Sequence, residues 1–455
     1  MVGDVRSLGR QETVSPDAVA RLVMAAAATW PVAAIASEAP VRSVQIGAAG
    51  DVFAFAKEAL RRGDAGAAEL ALRALTEDPA AAVRAEARFR LAKVVAAAGR
   101  TSEAAVILRR ILDDHPTAAP ARLELAALLG KMGHQDSALR QLRALRTADL
   151  PPNVARFVDR WSASLQAGKP FGVQLELALA PDSNINRATR SDTLGTVFGD
   201  FTFDEGAKAK SGVGAAVRGS AQARFSLGRG LGLVGRAVAD ANLYRDKDFN
   251  DVTGELSLGP EVRLGSTRMA FEIGAGQQWY GMKPYQRSLR LAGSVARPVD
   301  SVSVIRLDGA GRWNDNRRND LQDGHGLTLR ARYERALSQQ LSVAGSFLAD
   351  RFKARDNAYS TRSWLAGISA SRDFGRITFS LGAEFGRLKA DERLSILPEA
   401  RKDRLTRISL GAVMRQFTFA GFAPVARIVI ERNESSVEFY DFKCTRTEFG
   451  ISRAF

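Results

Sequence analysis

The stretch ITFSLGAEFGRL, residues 377–388, decides the fold because apolar and small or polar residues alternate along it. Ile377, Phe379 and Leu381 fall on one face, and Thr, Ser and Gly residues fall between them. A β-strand has this period when one face meets lipid and the other meets water. Residues 327–334 repeat the pattern with two arginines on the polar face. Charge is costly in a soluble core but stays hydrated in a lumen, so the pattern predicts a transmembrane β-barrel.

Similar stretches continue through residues 169–455, which we predict to form an antiparallel barrel of about 14 strands. A tilted strand needs 9 to 11 residues to span the membrane, which leaves room for a link after each strand. We expect six short links and seven long ones, with both barrel ends on the short-link side, the periplasm. The short links are expected near Gly228–Gly230, Gly265–Thr267, Pro298–Ser301, Leu337–Gln339, Asp373–Gly375 and Ala420–Ala423. Long links include Trp313–His325, Leu388–Arg404 and Arg432–Lys443.

The composition excludes several other classes of protein. A single cysteine, Cys444, rules out a disulfide framework, and we expect it to be a small packed residue. His115, His134 and His325 lack metal-ligand spacing, so no metal or cofactor is expected. The net charge of +15 comes from arginines spread over strands and helix faces, not from one basic stripe. We therefore expect contacts with outer-membrane lipid and no nucleic-acid partner.

Residues 1–36 have the features of a signal peptide. The apolar run Leu22–Ala36 follows several arginines and ends in the small-x-small pattern Ala34-Ile-Ala36. We expect cleavage near Ala36. A start at Met24, a misassigned upstream start, and a buried core helix are the alternatives.

Residues 37–168 have helical periodicity and a repeat of about 34 residues. A glycine recurs at spacings of 36 and 34 residues, and an alanine follows each glycine five residues later. These pairs are Gly63 with Ala68, Gly99 with Ala104, and Gly133 with Ala138. Large and small residues precede the glycines at matching places, Phe55-Ala56, Leu91-Ala92 and Leu125-Ala126. We expect each large residue to pack in the core and each small one to let the partner helix approach.

Leu72, Leu108 and Leu142 match in the second helix of each repeat, and Pro79, Pro116 and Pro151 end the repeats. The repeats resemble the tetratricopeptide family in about three copies, and residues 153–166 are a candidate capping helix. Stacked helix pairs commonly hold a peptide on their curved surface. A role as a mere spacer is the alternative.

A short polar motif follows the first predicted strand, and its residues are suited to tight turns. They are Pro181, Asp182, Ser183, Asn184, Ile185 and Asn186. Placed after helical repeats and before a barrel, this motif resembles the surface lipoprotein assembly modifiers, known as Slam proteins.

The resemblance implies an outer-membrane translocon that delivers lipoproteins, or secreted binding proteins, to the cell surface. It implies a client protein as partner, a periplasmic helical domain that assists the client, and no catalytic residues. We therefore expect a transporter and not an enzyme.

The C-terminus resembles the signal that the barrel assembly machinery recognises. The signal residues are Phe449, Gly450, Ile451 and the terminal Phe455. Arg453 departs from that pattern, which is tolerable at the membrane rim, where its stem can reach the head groups. The barrel assembly machinery is therefore an expected partner.

Two other motifs do not indicate a function. The glycines at 230, 232 and 235 have the spacing of a dinucleotide-binding fingerprint, but they lie at the start of a predicted strand and are not followed by a helix. Acid and base pairs along the strands could suggest a hydrolase in the lumen, which would need a catalytic serine, histidine and acid. The only histidine in the barrel sequence, His325, is expected in a long loop, so no such set is predicted.

The long loop 184–212 contains Phe198, Phe201 and Phe203, which we expect to help seal the pore. An exporter of polysaccharide with linked tetratricopeptide repeats, or a plain porin, remains the alternative function. The small number of repeats favours the protein translocon.

Overall fold

The computed structural model describes residues 49–453, apart from residues 149, 152–153, 156–157, 160, 163–170, 229, 418 and 420–421. The predicted signal peptide and Phe455 lie outside the described residues. The described chain consists of helices followed by a closed antiparallel β-barrel. The predicted fold class is therefore confirmed.

Among the described residues before residue 149, six α-helices form three hairpins, and a glycine in the left-handed conformation follows the first helix of each hairpin. The φ angles of Gly63, Gly99 and Gly133 are +82°, +82° and +90°. Glycine adopts this conformation without the steric cost that a Cβ would add. The helices are α1 Ala49–Arg61, α2 Ala65–Ala74, α3 Ala81–Ala97, α4 Thr101–Asp114, α5 Ala119–Met132 and α6 Gln135–Leu145.

The helical core is built from the residues that the repeat predicted. Ala68, Ala104 and Ala138 are fully buried, and so are the three matching leucines of the second helices. The small alanines let neighbouring helices approach, and the leucines fill the space between hairpins. Phe55 is an exception, because it is 57% exposed although it was expected to pack like Leu91. In the described part of the chain, no helix hairpin precedes α1 to cover it.

In the second and in the third hairpin, a buried arginine links the two helices of the hairpin. Arg88 of α3 donates to Asp114 Oδ2 at 2.7 Å. Arg122, at the same place in α5, donates to the Gln141 side chain at 2.8 Å and to the Pro116 carbonyl at 2.7 Å. Burial lowers the pKa of Arg122 to about 10. Each arginine therefore ties the first helix of its hairpin to the residues around the second helix.

The described residues after α6 continue the helical stack. Residues 154–155, 158–159 and 161–162 are helical, and Val158 is fully buried against Leu142 and Leu145. The rest of the predicted capping helix lies outside the described residues. Among the described helices, none combines the length and the apolarity needed to cross a membrane.

Fourteen strands close the barrel, because β1 pairs with both β4 and β16. The remaining two strands, β2 and β3, form a separate hairpin in the first long loop. The strands are β1 Phe171–Asp182, β2 Thr193–Thr196, β3 Gly199–Thr202, β4 Gly212–Gly228, β5 Leu231–Tyr244, β6 Asp251–Leu264, β7 Thr267–Tyr280, β8 Lys283–Pro298, β9 Ser303–Asn316, β10 Gly324–Ala336, β11 Leu341–Ala354, β12 Thr361–Phe374, β13 Ile377–Ala390, β14 Lys402–Met414, β15 Phe422–Ser435 and β16 Phe442–Arg453.

Side chains alternate between the outer surface and the lumen along these strands. In β10, Leu327 and Leu329 are 52% and 54% exposed on the apolar outer face. On the opposite face, Thr328 donates to Asp350 of β11 at 2.6 Å, and Arg312 of β9 donates to the same carboxylate. An apolar exterior around a charged interior is the arrangement expected of a barrel in lipid.

The links follow the predicted alternation with two exceptions. All six links predicted to be short join strands at one end of the barrel, which we call the short-turn end. The link between β14 and β15 was wrongly predicted to be short, because it covers residues 415–421, includes the 3-10 turn Arg415–Phe417, and is as long as the link 317–323 at the other end. At the opposite, long-loop end, β7 and β8 are joined only by Gly281 and Met282. Both residues have positive φ, 58° and 59°, as in a tight type I′ hairpin turn. The prediction of seven long links was therefore wrong at this position, and His325, expected in a loop, belongs to β10.

Candidate functional site

The barrel lumen contains a charged chamber at the short-turn end, between the strands and the helical hairpins. Its volume is about 1170 Å³, and residues of α4 and α6 line one side. Strand residues such as Gln174, Arg236 and Glu272 line the other side. The helices therefore cap this end of the lumen.

Arg415, directly after β14, is the centre of the contact between cap and barrel. Its guanidinium donates to Asp113 of α4 at 2.9 Å, to Asp373 of β12 at 2.5 Å and to the Gly375 carbonyl at 2.5 Å. The side chains of Arg415 and Asp113 are 6% and 7% exposed. A buried arginine with partners on both sides therefore joins α4 to two turns of the barrel.

A second ion pair holds α6 against the barrel. Arg143 donates to Glu334 of β10 at 2.9 Å, and both side chains are mostly buried. Burial lowers the pKa of Arg143, and Glu334 opposes that effect. We call the Arg415–Asp113 and Arg143–Glu334 pairs the cap latch. Breaking a buried pair leaves an uncompensated charge, so the latch is sensitive to the loss of either partner.

The barrel closes at a seam between its first and last strands. β1 pairs with β4 at every residue from Phe171 to Asp182. Its pairing with β16 runs from Glu176 to Leu179 and resumes only at Asp182. Pro181, which has no N–H to donate, lies in the interrupted stretch. The backbone ladder at the seam is therefore shorter than the ladder on the other side of β1.

Ion pairs in the lumen reinforce this seam. Glu448 of β16 accepts from Arg218 of β4 at 2.6 Å and from Arg427 of β15 at 2.7 Å. The same two arginines donate to Glu176 of β1 at 2.9 and 3.0 Å. Arg446 lies 2.9 Å from Glu448. These five side chains, which we call the seam clasp, link four adjacent strands across the closure.

The size of each residue near the C-terminus matches the space available to it at the seam. Phe449 and Ile451 are 40% and 44% exposed on the outer face. Gly450 lies between them, and a Cβ at this position would be 2.0 Å from the Leu177 carbonyl oxygen. β16 therefore approaches β1 so closely that only glycine fits. Arg453 is the last described residue of β16, at the short-turn end.

The motif of residues 181–186 ties the first long loop to the last strand. Asp182 accepts from the Asn184 N–H at 2.8 Å and from the buried Cys444 thiol at 3.0 Å. Ser183 exchanges two hydrogen bonds with the backbone of Thr445 at 3.0 and 2.8 Å. The fully buried Asn184 also donates to the Lys443 carbonyl at 3.2 Å. The motif thus continues the seam beyond the end of β1.

The last motif residues shape the loop itself. Asn186 bonds to the backbone of Lys208 and Lys210 at 2.8 and 3.0 Å, and the Ile185 N–H donates to the Lys210 carbonyl at 2.7 Å. Arg187 has a φ of 47° and donates to the buried Glu431 of β15 at 2.8 Å. The motif is therefore followed directly by an arginine whose guanidinium is held against β15 of the barrel.

The aromatic residues of the first long loop lie at the long-loop end. Phe198 and Phe201 are largely exposed in the β2–β3 hairpin. Phe203 packs against Phe439 of a neighbouring loop, with ring centroids 6.2 Å apart. The Val197 N–H donates to the Ile396 carbonyl of another loop at 3.1 Å. The hairpin is therefore held by other long loops, and its role in sealing the pore stays a prediction.

Deleting residues 196–203 tests that role. If the hairpin blocks the lumen, removing it should raise the baseline conductance of the protein in a planar bilayer. An unchanged conductance, with normal barrel folding, would contradict a sealing role.

The cap latch and the seam clasp were not predicted from the sequence. Their arginines stand in strands and turns with many similar arginines nearby, and pairing depends on which strands become neighbours. A partial signal exists in Glu176 and Glu448, which are carboxylates on the polar face of the first and last strands.

The fold and its lumen define a class of protein, a transmembrane-type β-barrel preceded by tetratricopeptide-like repeats that cap it. The family model described as surface lipoprotein assembly modifier matches residues 172–455, and a tetratricopeptide repeat model matches residues 95–159. The chain belongs to the surface lipoprotein assembly modifier family.

Two curated relatives agree with this assignment. Surface lipoprotein assembly modifier 1 of Neisseria meningitidis serogroup B is 27% identical over 35% of this chain and 32% of that protein. The surface lipoprotein assembly modifier of Moraxella catarrhalis is 26% identical over 46% of this chain and 42% of that protein. The chain thus matches less than half of the length of either relative.

Solved structures of β-barrels also match this chain, at low sequence identity. An outer membrane protein of Vibrio cholerae, OmpT without its loop L8, covers 63% of this chain and 99% of its own, with 8% identity and a TM-score of 0.36. An anion-selective porin from Comamonas acidovorans covers 63% and 99%, with 12% identity and a TM-score of 0.34.

Proposed function

We propose that this protein is an outer-membrane translocon that promotes the delivery of client lipoproteins to the bacterial cell surface. The observation that carries the proposal is the family assignment of the whole barrel, residues 172–455. The names of both curated relatives, surface lipoprotein assembly modifiers, support a role in surface lipoprotein assembly.

The geometry is consistent with transport and gives each part a role. The apolar outer face of the barrel suits the outer membrane, and the charged lumen suits a hydrated passage. Both ends of the barrel lie at the short-turn end, which we place in the periplasm together with the helical cap. In this arrangement the cap meets a client before the lumen does, and the protein acts by transport without catalysis.

The partners follow from the same arrangement. A client lipoprotein, or a secreted binding protein, would reach the helical repeats from the periplasm. The barrel assembly machinery would recognise Phe449, Gly450 and Ile451 of the last strand, together with the terminal Phe455, and insert the barrel. Membrane lipid would cover the outer face.

Protease accessibility of a co-encoded lipoprotein in intact cells tests the function. We expect surface exposure of the lipoprotein with the full chain, and loss of exposure without loss of synthesis when the chain is absent. A chain lacking residues 49–162 should assemble a barrel but lose most of the exposure, because the client is no longer received. Arg61→Ala, on the exposed face of α1, is the matched control and should behave like the parent.

Unchanged exposure in cells that lack the chain would contradict the proposal. Polysaccharide export or a plain pore would then account better for the barrel. Normal exposure with the truncated chain would leave the barrel as the translocon and assign the repeats a spacer role.

A further inference from the structure

Cationic side chains are concentrated on the outer face of four adjacent strands, β11 to β14, at the long-loop end. An exposed apolar residue identifies the outer face of each strand, namely Phe347, Ile368, Phe385 and Ile408. Residues at even spacing from these share that face. Between them and the long loops, seven such positions are cationic, and we call them the basic rim. They are Arg351 and Lys353 in β11, Arg362 in β12, Arg387 and Lys389 in β13, and Lys402 and Arg404 in β14.

The strand register places these cations directly opposite one another. Four of them form one row across the four strands, each opposite the next: Arg351, Arg362, Lys389 and Lys402. Arg387 and Arg404 are opposite each other in the neighbouring outward row. Residues paired in this way have Cβ atoms about 5 Å apart, and like charges at that position destabilise a sheet. The basic rim therefore has an electrostatic cost that anions from outside the sheet would reduce.

Carboxylates at the rim balance less than half of this charge. The pairs are Arg351 with Asp391 at 2.8 Å, Lys402 with Glu399 at 2.9 Å and Arg404 with Glu434 at 3.9 Å. Arg362 lies 4.0 Å from the same Asp391. In the described part of the chain, Lys353, Arg387 and Lys389 form no ion pair. The seven cations therefore exceed the three carboxylates by four charges.

The loops that join these strands do not supply the missing anions. The β11–β12 loop adds Asp356 but also Arg355. The β13–β14 loop adds Glu392 but also Arg393 and Arg401. The two loops together therefore leave the positive excess in place.

The basic rim belongs to one wall of the barrel and not to its whole circumference. On β4 to β7, the outward residues nearest the long loops are all apolar. They are Val213, Leu243, Val252 and Trp279. The charge on β11 to β14 is therefore a local feature that needs its own explanation.

An aromatic row on the same wall indicates the depth of the rim in the membrane. The rings of Phe347 and Trp364 stack with their centroids 6.4 Å apart, and Trp364 meets Phe385 edge-on at 5.6 Å. Girdles of aromatic residues mark the boundary between hydrocarbon and head groups in membrane barrels. The basic rim follows this row on the side of the long loops, so it lies at the level of the head groups.

The chemistry of the rim indicates a phosphorylated lipid. Guanidinium groups bind phosphate through two parallel hydrogen bonds, and lysines add point charges. Strands are about 4.8 Å apart, so the row of four cations is roughly 14 Å wide and can meet more than one phosphate. A lipid can place its acyl chains on the apolar face around Ile368 and Ile408 while its phosphates meet the rim. A soluble anion would gain nothing from that apolar face.

We propose that the basic rim binds the head group of a lipid that carries more than one phosphate, with its acyl chains against the outer face of β11 to β14. The proposal rests on the proposed function, because that function places the long-loop end in the outer leaflet of the outer membrane. The bound phosphates would supply the anions that the like-charge pairs lack. The lipid would also hold this wall of the barrel at a fixed depth.

Native mass spectrometry of the detergent-purified full chain with added lipid A, which carries two phosphates, tests the binding. We expect a retained complex, and at least about tenfold weaker binding of phosphatidylcholine, whose head group has no net charge. Arg362→Gln/Lys389→Gln should weaken lipid A binding at least about tenfold, because two charge-assisted contacts are lost. Arg297→Gln/Arg335→Gln, which removes two outward arginines at the short-turn end, is the matched control and should leave the affinity unchanged.

The variant Arg362→Lys/Lys389→Arg separates charge from local structure, because it keeps both cations and should retain most of the affinity. Equal affinity of the glutamine variant and the parent for lipid A would overturn the proposal. Equal affinity of the parent for lipid A and phosphatidylcholine would also overturn it. Inorganic phosphate at the concentration of the lipid should leave lipid A bound, and displacement at that concentration would overturn the assignment to a lipid.

The unfolding temperature of the barrel in non-ionic detergent, read from heat-modifiable gel mobility, tests the role of charge repulsion. Lipid A should raise this temperature for the parent and have at most half that effect on Arg362→Gln/Lys389→Gln. Without lipid, the glutamine variant should unfold at the same temperature as the parent or higher, because it loses like-charge neighbours. A lower temperature without lipid would overturn the proposal, since the two cations would then stabilise the barrel by themselves.

Exposure of the client in cells separates this inference from the proposed function. If the chain exposes a lipoprotein but does not bind lipid A, the inference fails and the proposed function stands. If the chain binds lipid A through the basic rim but its absence leaves client exposure unchanged, the rim site stands and only the proposed function fails.

Discussion

Gly450→Val should nearly abolish the folded barrel. The added Cβ would lie 2.0 Å from the Leu177 carbonyl oxygen and 2.6 Å from the Ala178 Cα, both backbone atoms of β1. Overpacking typically costs about 1 to 3 kcal/mol, and a β-branched residue against a rigid backbone belongs at or above the upper limit. We expect the heat-modifiable, folded fraction in outer-membrane preparations to fall at least tenfold.

Gly345→Val in β11 is the matched control, because no atom lies within 4 Å of a Cβ at that position. Valine favours strands, so this variant should assemble like the parent. Equal loss of folding in both variants would show a general intolerance of larger residues. Normal assembly of Gly450→Val would contradict the close approach of β1 and β16.

Arg415→Ala should release the helical cap from the barrel. The substitution leaves Asp113 without its cation in a site where both side chains are almost fully buried, and it also removes a partner of Asp373. Breaking a buried ion pair costs about 3 to 5 kcal/mol. We expect faster trypsin cleavage of the helical domain and a higher conductance in planar bilayers, with a barrel that still folds.

Arg61→Ala provides the control for the same measurements, since Arg61 pairs with the nearby Glu58 on an exposed helix face. A second variant, Arg415→Ala/Asp113→Asn, removes the uncompensated carboxylate and should recover part of the protease resistance. Identical digestion and conductance of Arg415→Ala and the parent would contradict a latch at this position.

The sequence was sufficient to predict the number and the type of the strands. Lipid and water on opposite faces impose a period of two, so Leu327 and Leu381 identify the outer face without knowledge of neighbouring strands. The helical repeats could also be predicted from the sequence, because a left-handed glycine such as Gly99 and a buried alanine such as Ala104 must recur in each hairpin.

The exceptions show where local pattern is insufficient. The two-residue turn at Gly281 and Met282 replaces an expected long link, since strand pairing and not polarity sets where a hairpin turns. Phe55 has the pattern of a core residue and is exposed, because coverage depends on a neighbouring hairpin. The sequence pattern indicates which environment a side chain favours, whereas the packing of neighbouring elements decides whether that environment is present.

The sequence by itself determined a barrel of about fourteen strands after helical repeats, through periodicities that each segment carries alone. Only the tertiary structure decided that the repeats cap the short-turn end, and which charges meet there. Arg415 and Asp113 are far apart in the chain. The residues around one of many arginines do not indicate which distant carboxylate it will pair with. The same holds for Glu448 and Arg218, which become partners only when the closing barrel brings β16 beside β1 and β4. Ion pairs depend on position in space, whereas strand and helix periods depend on position in sequence.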